Sequence, residues 1–563
     1  MFERKDRKRK FLIALTALAI GSAFFLAYSF LPLTAPLRFN SPDENANYFF
    51  SGTFVDGSRL WSFEPLDLAV PGLVHPRSMR IIDNFLVPVG FIGLPVIFGS
   101  IAKVAGMGAV PFLTPLFAVL AAAAFASIVG RFFGRRTGVL SGLLLLVCPV
   151  WWYEASRTLM PNILFVSLAV FAAWFLLTAP VLAARAGKPR KSYDLVWRAD
   201  GALAGLCFGL ALAVRPSEVY WLALIAAVLF VANRRKLPWS RLALFILFAA
   251  GILLPFFGMN KALYGNWLGT GYAVSAGEQA VASLPAGHGA RLLGGLQPYL
   301  FPLGFAPRTA WHNFWLYGAR FFWFWTLLVG ISAAAAVFAA WRRRRAAKPL
   351  DRNAVVYALV LGLTSVWLVL FYGSWTIQDN PDPTAVTIGT SYFRYWLPIF
   401  LLSVVPAAWA LGAAAERLAG RWCIPALAAV IAVLAAVSAH AIFTAPQEGL
   451  LVLRDNLRRY DSEVKQVLAK TEKNALIVVD RADKLFFPDR SVIYPLRSEQ
   501  TYAALGDLGR HVPLYYFGIA FPEKDLEYLR QEKLPPLGLT IEPVLSFGEE
   551  ALYALPRLPA QRP

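Results

Sequence analysis

Lys8-Arg9-Lys10-Phe11-Leu12-Ile13-Ala14-Leu15-Thr16-Ala17-Leu18-Ala19-Ile20 opens an apolar run that continues to residue 31. A basic head before an apolar run suits a secretory signal, but this run exceeds the about 7–15 residues of a signal core. It reads as an uncleaved first transmembrane helix. The rest of the 563-residue chain agrees: 58% of it is hydrophobic and 16% charged, where soluble domains carry about 25% charged residues. Mean hydropathy is +0.54. The composition is that of a polytopic membrane protein with length left for one soluble domain. The net charge of +20 would suggest nucleic acid in a soluble protein. Here acids and bases nearly balance in the tail 446–563, so the excess lies in the membrane part, where basic loops set orientation. No nucleic-acid partner is expected. Cys148, Cys207 and Cys423 lie in apolar segments without metal-site or disulfide spacing and read as small buried hydrophobes.

Further apolar runs lie at 108–130, 138–153, 161–183, 201–215, 217–232, 241–260, 314–340, 353–373, 392–415 and 422–445. The run 82–102 is ambiguous. If it crossed, the basic cluster at 131–136 and every later one would fall outside. If it lies flat or re-enters, the clusters at 4–10, 131–136, 185–198, 234–241, 342–352 and 417–421 all fall inside. Pro88, Pro95 and several glycines interrupt it, which favours the second reading. The expected fold is therefore mainly α: a polytopic membrane bundle of about 11 transmembrane helices, residues 1–445, with outer loops at 32–107 and 261–313. Residues 446–563 form a small extracytoplasmic α/β domain. Within it, 475–480 and 512–519 read as strands, 522–532 begins as helices do, and 539–545 with 551–555 reads as a hairpin around Gly548. The N-terminus is expected in the cytoplasm and the protein in a bacterial inner membrane.

This topology gathers the informative polar residues on the outer side. Asn40-Ser41-Pro42-Asp43-Glu44-Asn45 follows the first span. Carboxylates beside a bilayer are functional candidates by default. One can act as a general base, while the other orients substrate or ligates a divalent cation. Arg157 and Asn162 lie in one outer hairpin tip, Arg215 in another, and Arg394-Tyr395 at the outer end of a helix. His75, Arg77 and Lys261 lie in outer loops. Guanidinium at outer helix ends runs against the positive-inside trend and suits phosphate. Outer-boundary aromatics, Tyr395 among them, suit an interfacial belt or a sugar-stacking surface. His288 and His312 have no ligand-like spacing. Asp379 and Asp382 sit in a Pro/Asn/Asp turn sequence.

The order of these motifs resembles the GT-C integral-membrane glycosyltransferases that use polyprenyl-phosphate sugars. The matching features are Asp43-Glu44 in the first outer loop, the apolar segment 82–102, Gly130–Arg136, Ser156 to Asn162, Arg215-Pro216 and Arg394 to Pro398. Many relatives carry an acid where this chain has Asn162. The resemblance covers residues 1–445 and implies transfer of a sugar from a polyprenyl-phosphate donor to a hydroxyl of a lipid, glycan or protein. Asp43 would serve as base and Arg215 and Arg394 would hold the departing phosphate, with Mg or Mn at Asp43 and Glu44 as an option. The main alternative is a transporter or flippase of lipid-linked sugars, which predicts inverted repeats that the sequence does not show. A ligase using diphosphate-linked glycans predicts a late outer loop rich in Arg and His. A receptor acting through its tail predicts a ligand site there, and none is recognisable.

Overall fold

The computed structural model describes residues 2–185, 190–234, 239–272, 301, 304–377, 382, 385–418 and 420–559. By contacts the chain forms two compact units. The first comprises Met1–Leu33, Pro111–Phe256 and Ala280–Val452, and the second Thr34–Val110, Phe257–Gln279 and Leu453–Pro563. Most of the loop 261–313, together with His288 and Asp379, lies outside the described residues.

The first unit is helical. Among the described residues, eight helices are long and apolar enough to cross a bilayer: Phe11–Tyr28, Met107–Phe133, Pro216–Asn233, Trp239–Tyr264, Trp323–Arg345, Arg352–Gly373, Leu397–Ala415 and Gly420–Thr444. The run expected at 138–153 is a pair, Arg135–Val147 and Pro149–Ser156, bent by 54°. The break has a local cause, because Cys148 precedes Pro149 and is pushed out of the helical region, to φ −61° and ψ 123°. The runs at 161–183 and 201–215 fall on shorter apolar helices, Pro161–Leu177 and Ala199–Val214. Every apolar run expected to span thus falls on a helical element.

Helix packing in this unit uses glycine where backbones meet. A Cβ at Gly205 would stand 2.2 Å from the Phe245 carbonyl oxygen, and at Gly201 and Gly209 it would stand 2.8 Å from the Arg241 and Ala249 carbonyls. These glycines recur every four residues on one helix face, the small-residue spacing that lets membrane helices approach closely. Gly205→Ala should therefore cost about 1–3 kcal/mol through overpacking, read as a lower melting temperature in detergent. Gly251→Ala, with nothing within 4 Å of the added methyl, should leave it unchanged.

The second unit explains the ambiguous run. Residues 82–102 are not one helix. Strands β1 (Ser62–Phe63), β2 (Met79–Ile82) and β3 (Phe85–Pro88) form a small antiparallel sheet ordered β1-β3-β2. The β2–β3 hairpin turns on Asp83 and Asn84, both left-handed at φ 51° and 65°, as a two-residue hairpin loop requires. The following helix, Gly93–Ala105, has 13 residues, short of the about 20 a crossing needs.

The tail forms a five-stranded sheet, order β5-β4-β6-β8-β7, from β4 (Leu476–Val479), β5 (Ser491–Ile493), β6 (Leu514–Ile519), β7 (Glu542–Ser546) and β8 (Glu550–Ala554). β5, β4 and β6 are parallel. All four β4 residues are buried, as in a parallel strand covered on both faces. Gly548, at φ 82°, turns the expected β7–β8 hairpin. The sequence reading missed β5, which is only three residues long, and the helix Glu499–His511 that crosses from β5 to β6. Val70 and Val74, from the first outer loop, join the same buried core as Leu476, Ile493, Leu505 and Tyr516.

Candidate active site

In the first unit the structure brings together four of the expected site residues: Asn162, Arg215, Arg394 and Tyr395. Arg215 caps the Ala199–Val214 helix just before Pro216, which holds it extended at φ −145° and ψ 85°. Pro216–Glu218 is a single 3₁₀ turn, in which residues three apart eclipse. Glu218 is thereby set against Arg215, with Nε 2.9 Å from Oε1. Arg215 Nη2 donates to the Tyr372 hydroxyl at 3.0 Å and Nη1 reaches Asn162 Oδ1 at 3.5 Å. The Asn162 amide donates in turn to the Arg394 carbonyl at 2.9 Å. The side chain at 162 therefore accepts at one end and donates at the other. An acid there would have no donor for that carbonyl, which accounts for an amide at this position.

Arg394 lies on the short helix Ser391–Tyr395. Its Nη2 donates to Ser391 Oγ at 2.5 Å, and Nη1 lies 3.4 Å from Met160 Sδ. The Tyr395 ring organises the group. The Arg215 guanidinium stands 5.0 Å from its centroid and that of Arg394 5.4 Å. The Tyr372 ring stacks on it at 4.3 Å, 14° from parallel. Both guanidinium groups lie against this one ring, and guanidinium donors suit an anion. Glu218 was not singled out from sequence, although its place three residues after Arg215 across a proline was a legible signal. Tyr372 stood there only among the outer-boundary aromatics, with nothing to link it to Arg215 until a distant helix brought it in.

Arg157 is buried at the end of helix Pro149–Ser156, where its side chain bonds the Tyr153 hydroxyl.

The second unit holds the remaining candidates. Asp43 and Glu44 open helix Pro42–Gly57 behind the N-cap Ser41. Ser41 and Glu44 form a capping box: Ser41 Oγ accepts from Asp43 N, and Glu44 Oε2 accepts from Ser41 N at 2.9 Å and Asn40 N at 3.1 Å. Asp43 is half-buried, and its Oδ1 accepts from the Ser78 hydroxyl at 2.5 Å. Ser78 is held left-handed at φ 63°, an uncommon conformation for a residue with a side chain. The helix is docked on the tail through Asn45 Nδ2 to the Phe487 carbonyl at 3.3 Å and Phe49 against Phe487 at 4.8 Å.

Arg77 faces Asp483: Nε and the backbone N–H lie 2.8 Å from its two oxygens, and Nη2 2.6 Å from Oδ1. His75 packs edge-on to Tyr494, and burial holds its imidazole below the ordinary histidine pKa, so it is neutral near pH 7. Lys261 lies over Trp267 at 5.1 Å. Among the described residues no three His, Cys, Asp or Glu side chains are grouped to hold a metal.

Fold and site together define a mainly α, polytopic membrane protein with a guanidinium–aromatic cluster. That fold is shared with ArnT from Cupriavidus metallidurans. Its undecaprenyl-phosphate-bound structure matches at TM-score 0.52 and 15% identity over 96% of this chain and 97% of that one. Its apo structure matches at 0.51 and 14%, over 97% and 98%. An Archaeoglobus fulgidus oligosaccharyltransferase tethered with an acceptor peptide aligns at 0.49 and 14%, over 97% and 74%. No protein-family model and no curated protein sequence matches the chain.

Proposed function

We propose that this protein is a glycosyltransferase that moves a sugar from a polyprenyl-phosphate-linked donor to a hydroxyl acceptor by one inverting displacement. The observation that carries the reading is the cluster in which Arg215 and Arg394 share the Tyr395 ring beside Asn162. It offers oriented donors to a phosphate at the end of apolar helices. Undecaprenyl phosphate bound to ArnT, a protein of the same fold, supports the donor class. Asp43 takes the proton from the acceptor hydroxyl, whose oxygen attacks the anomeric carbon. The bond from that carbon to the phosphate oxygen breaks, and Arg215 and Arg394 receive the phosphate with its new charge. Fixed cations at a developing charge are often the largest contribution to catalysis. The acceptor is a lipid, glycan or protein hydroxyl. A flippase of lipid-linked sugars is the rival, and the sequence lacks the inverted repeats it would need.

In this reading eleven helices cross a bacterial inner membrane, residues 1–445 carry the transferase machinery, and 446–563 lie outside. The transferase reading is tested by reconstituting the protein in vesicles and following sugar release from a panel of polyprenyl-phosphate sugars. No turnover with any donor, in a correctly folded preparation, would overturn it. The topology is tested at Asp507, exposed on helix Glu499–His511. With all three native cysteines buried, an Asp507→Cys variant should label from outside intact cells with an impermeant maleimide. Labelling only after permeabilisation would reverse the orientation.

A further inference from the structure

Three donors converge on the carboxylate of Glu218. Oε1 accepts from Arg215 Nε at 2.9 Å and from the Tyr372 hydroxyl at 2.5 Å, and Oε2 accepts from Trp221 Nε1 at 2.6 Å. The side chain is 3% exposed. Three of the about four acceptor directions of this buried carboxylate are filled. What it does is restrict its neighbours. It holds the Arg215 guanidinium by its Nε edge, which leaves the Nη edge turned to Asn162 and Tyr372. It holds the Tyr372 hydroxyl, and so the Tyr372 ring on which Tyr395 stacks. Both arginines of the cluster lie against Tyr395. Glu218 also pairs with Arg215, which fixes that residue as an oriented donor.

We infer that Glu218 is a positioning residue for the polyprenyl-phosphate site, acting through Arg215 and Tyr372. This rests on the glycosyltransferase reading and assigns a role within the same site. The requirement is for an acceptor at both oxygens. In Glu218→Gln the amide NH₂ must face either the Trp221 N–H or the Arg215 and Tyr372 donors, and donor then meets donor. Trp221→Phe removes the donor on the Oε2 side while keeping a ring against Phe165. It should restore what Glu218→Gln loses. A charge effect alone, or a general loss of fold, would not be restored by deleting an indole N–H.

The test is binding of undecaprenyl phosphate to the detergent-solubilised full chain, with undecaprenol as the phosphate-free control and melting temperature as the measure of fold. Wild type should prefer the phosphate. Glu218→Gln should weaken phosphate binding by about 10- to 100-fold, the scale on which a misplaced contact acts, with little change for undecaprenol. Trp221→Phe alone should weaken it slightly, and the double variant should return to within a few-fold of Trp221→Phe. Tyr372→Phe removes two bonds of the network, the one donated to Glu218 and the one accepted from Arg215, keeps the stack, and should weaken binding by about 3- to 10-fold. It reports on the network even if Glu218→Gln fails to fold. Unchanged phosphate binding in both Glu218→Gln and Tyr372→Phe, with wild-type preference intact, overturns the positioning role and leaves the transferase reading standing. Loss in Glu218→Gln without recovery in the double variant also overturns it. A wild type that does not distinguish undecaprenyl phosphate from undecaprenol overturns both.

Discussion

Asp43→Asn should lower sugar transfer by about 10²- to 10⁴-fold, the usual contribution of a positioned base, and leave the melting temperature near wild type. The local structure makes the two outcomes separable. Asp43 sits in the first turn of helix Pro42–Gly57, where the helix dipole favours a carboxylate by about 0.3–1 kcal/mol. Its Oδ1 accepts from Ser78. Asparagine keeps an oxygen for that hydroxyl and fits the same volume, but cannot take a proton. The cap does not depend on it, since Ser41 and Glu44 bond backbone N–H groups. Transfer in vesicles from a polyprenyl-phosphate sugar is the measurement. Turnover near wild type would remove Asp43 from the role of base. Undecaprenyl phosphate binding should persist, because the guanidinium cluster belongs to other residues.

Arg77→Leu should destabilise the second unit by about 3 kcal/mol, the low end of the cost of stripping one partner from a buried ion pair. Asp483 is 0% exposed, and it would keep the backbone N–H of residue 77 but lose both guanidinium contacts. The low end applies for that reason. Arg77 also donates to the Arg481 carbonyl at 2.6 Å, so the first outer loop loses its tie to the segment after β4. The cost should fall sharply in Arg77→Leu/Asp483→Leu, where no charge is left buried, since contacting residues are not additive. Thermal unfolding of the four proteins measures this. A donor-binding Arg77 would behave differently: unfolding would stay unchanged, and only the dependence on donor concentration would move.

Several of these features were legible from sequence, and others were misleading there for physical reasons. The Ser41-x-x-Glu44 pattern is that of a capping box, yet beside a membrane it also reads as paired catalytic acids. Asp83-Asn84 inside the run 82–102 was a hairpin signal hidden by the apolar residues around it. Arg77, Arg157, Arg215 and Arg394 were equivalent as outer cations. The structure gives them different partners: Asp483 for Arg77, Tyr153 for Arg157, and a shared tyrosine ring for the other two. Asp483 for Arg77 and the Tyr395 ring for Arg215 lie far away along the chain, where no local pattern encodes them, whereas Tyr153 and, for Arg394, Tyr395 are near neighbours whose role the sequence leaves open. Glu218 was the intermediate case, visible as a neighbour of Arg215 but without a reason to matter until Tyr372 and Trp221 were seen to share it.

Sequence alone determined the class of molecule. A helix in lipid must satisfy its own backbone and present apolar side chains for about 20 residues, so hydropathy reports spans one segment at a time, and the basic loops between them report sidedness in the same local way. The apolar runs of the tail's buried strands were local signals as well. Tertiary structure alone decided which polar residues act together. A guanidinium becomes a strut for a buried aspartate or the partner of a tyrosine according to what packs against it. That depends on packing across the whole unit, a non-local property, and it is why the bundle could be drawn from the chain while the cluster around Tyr395 could not.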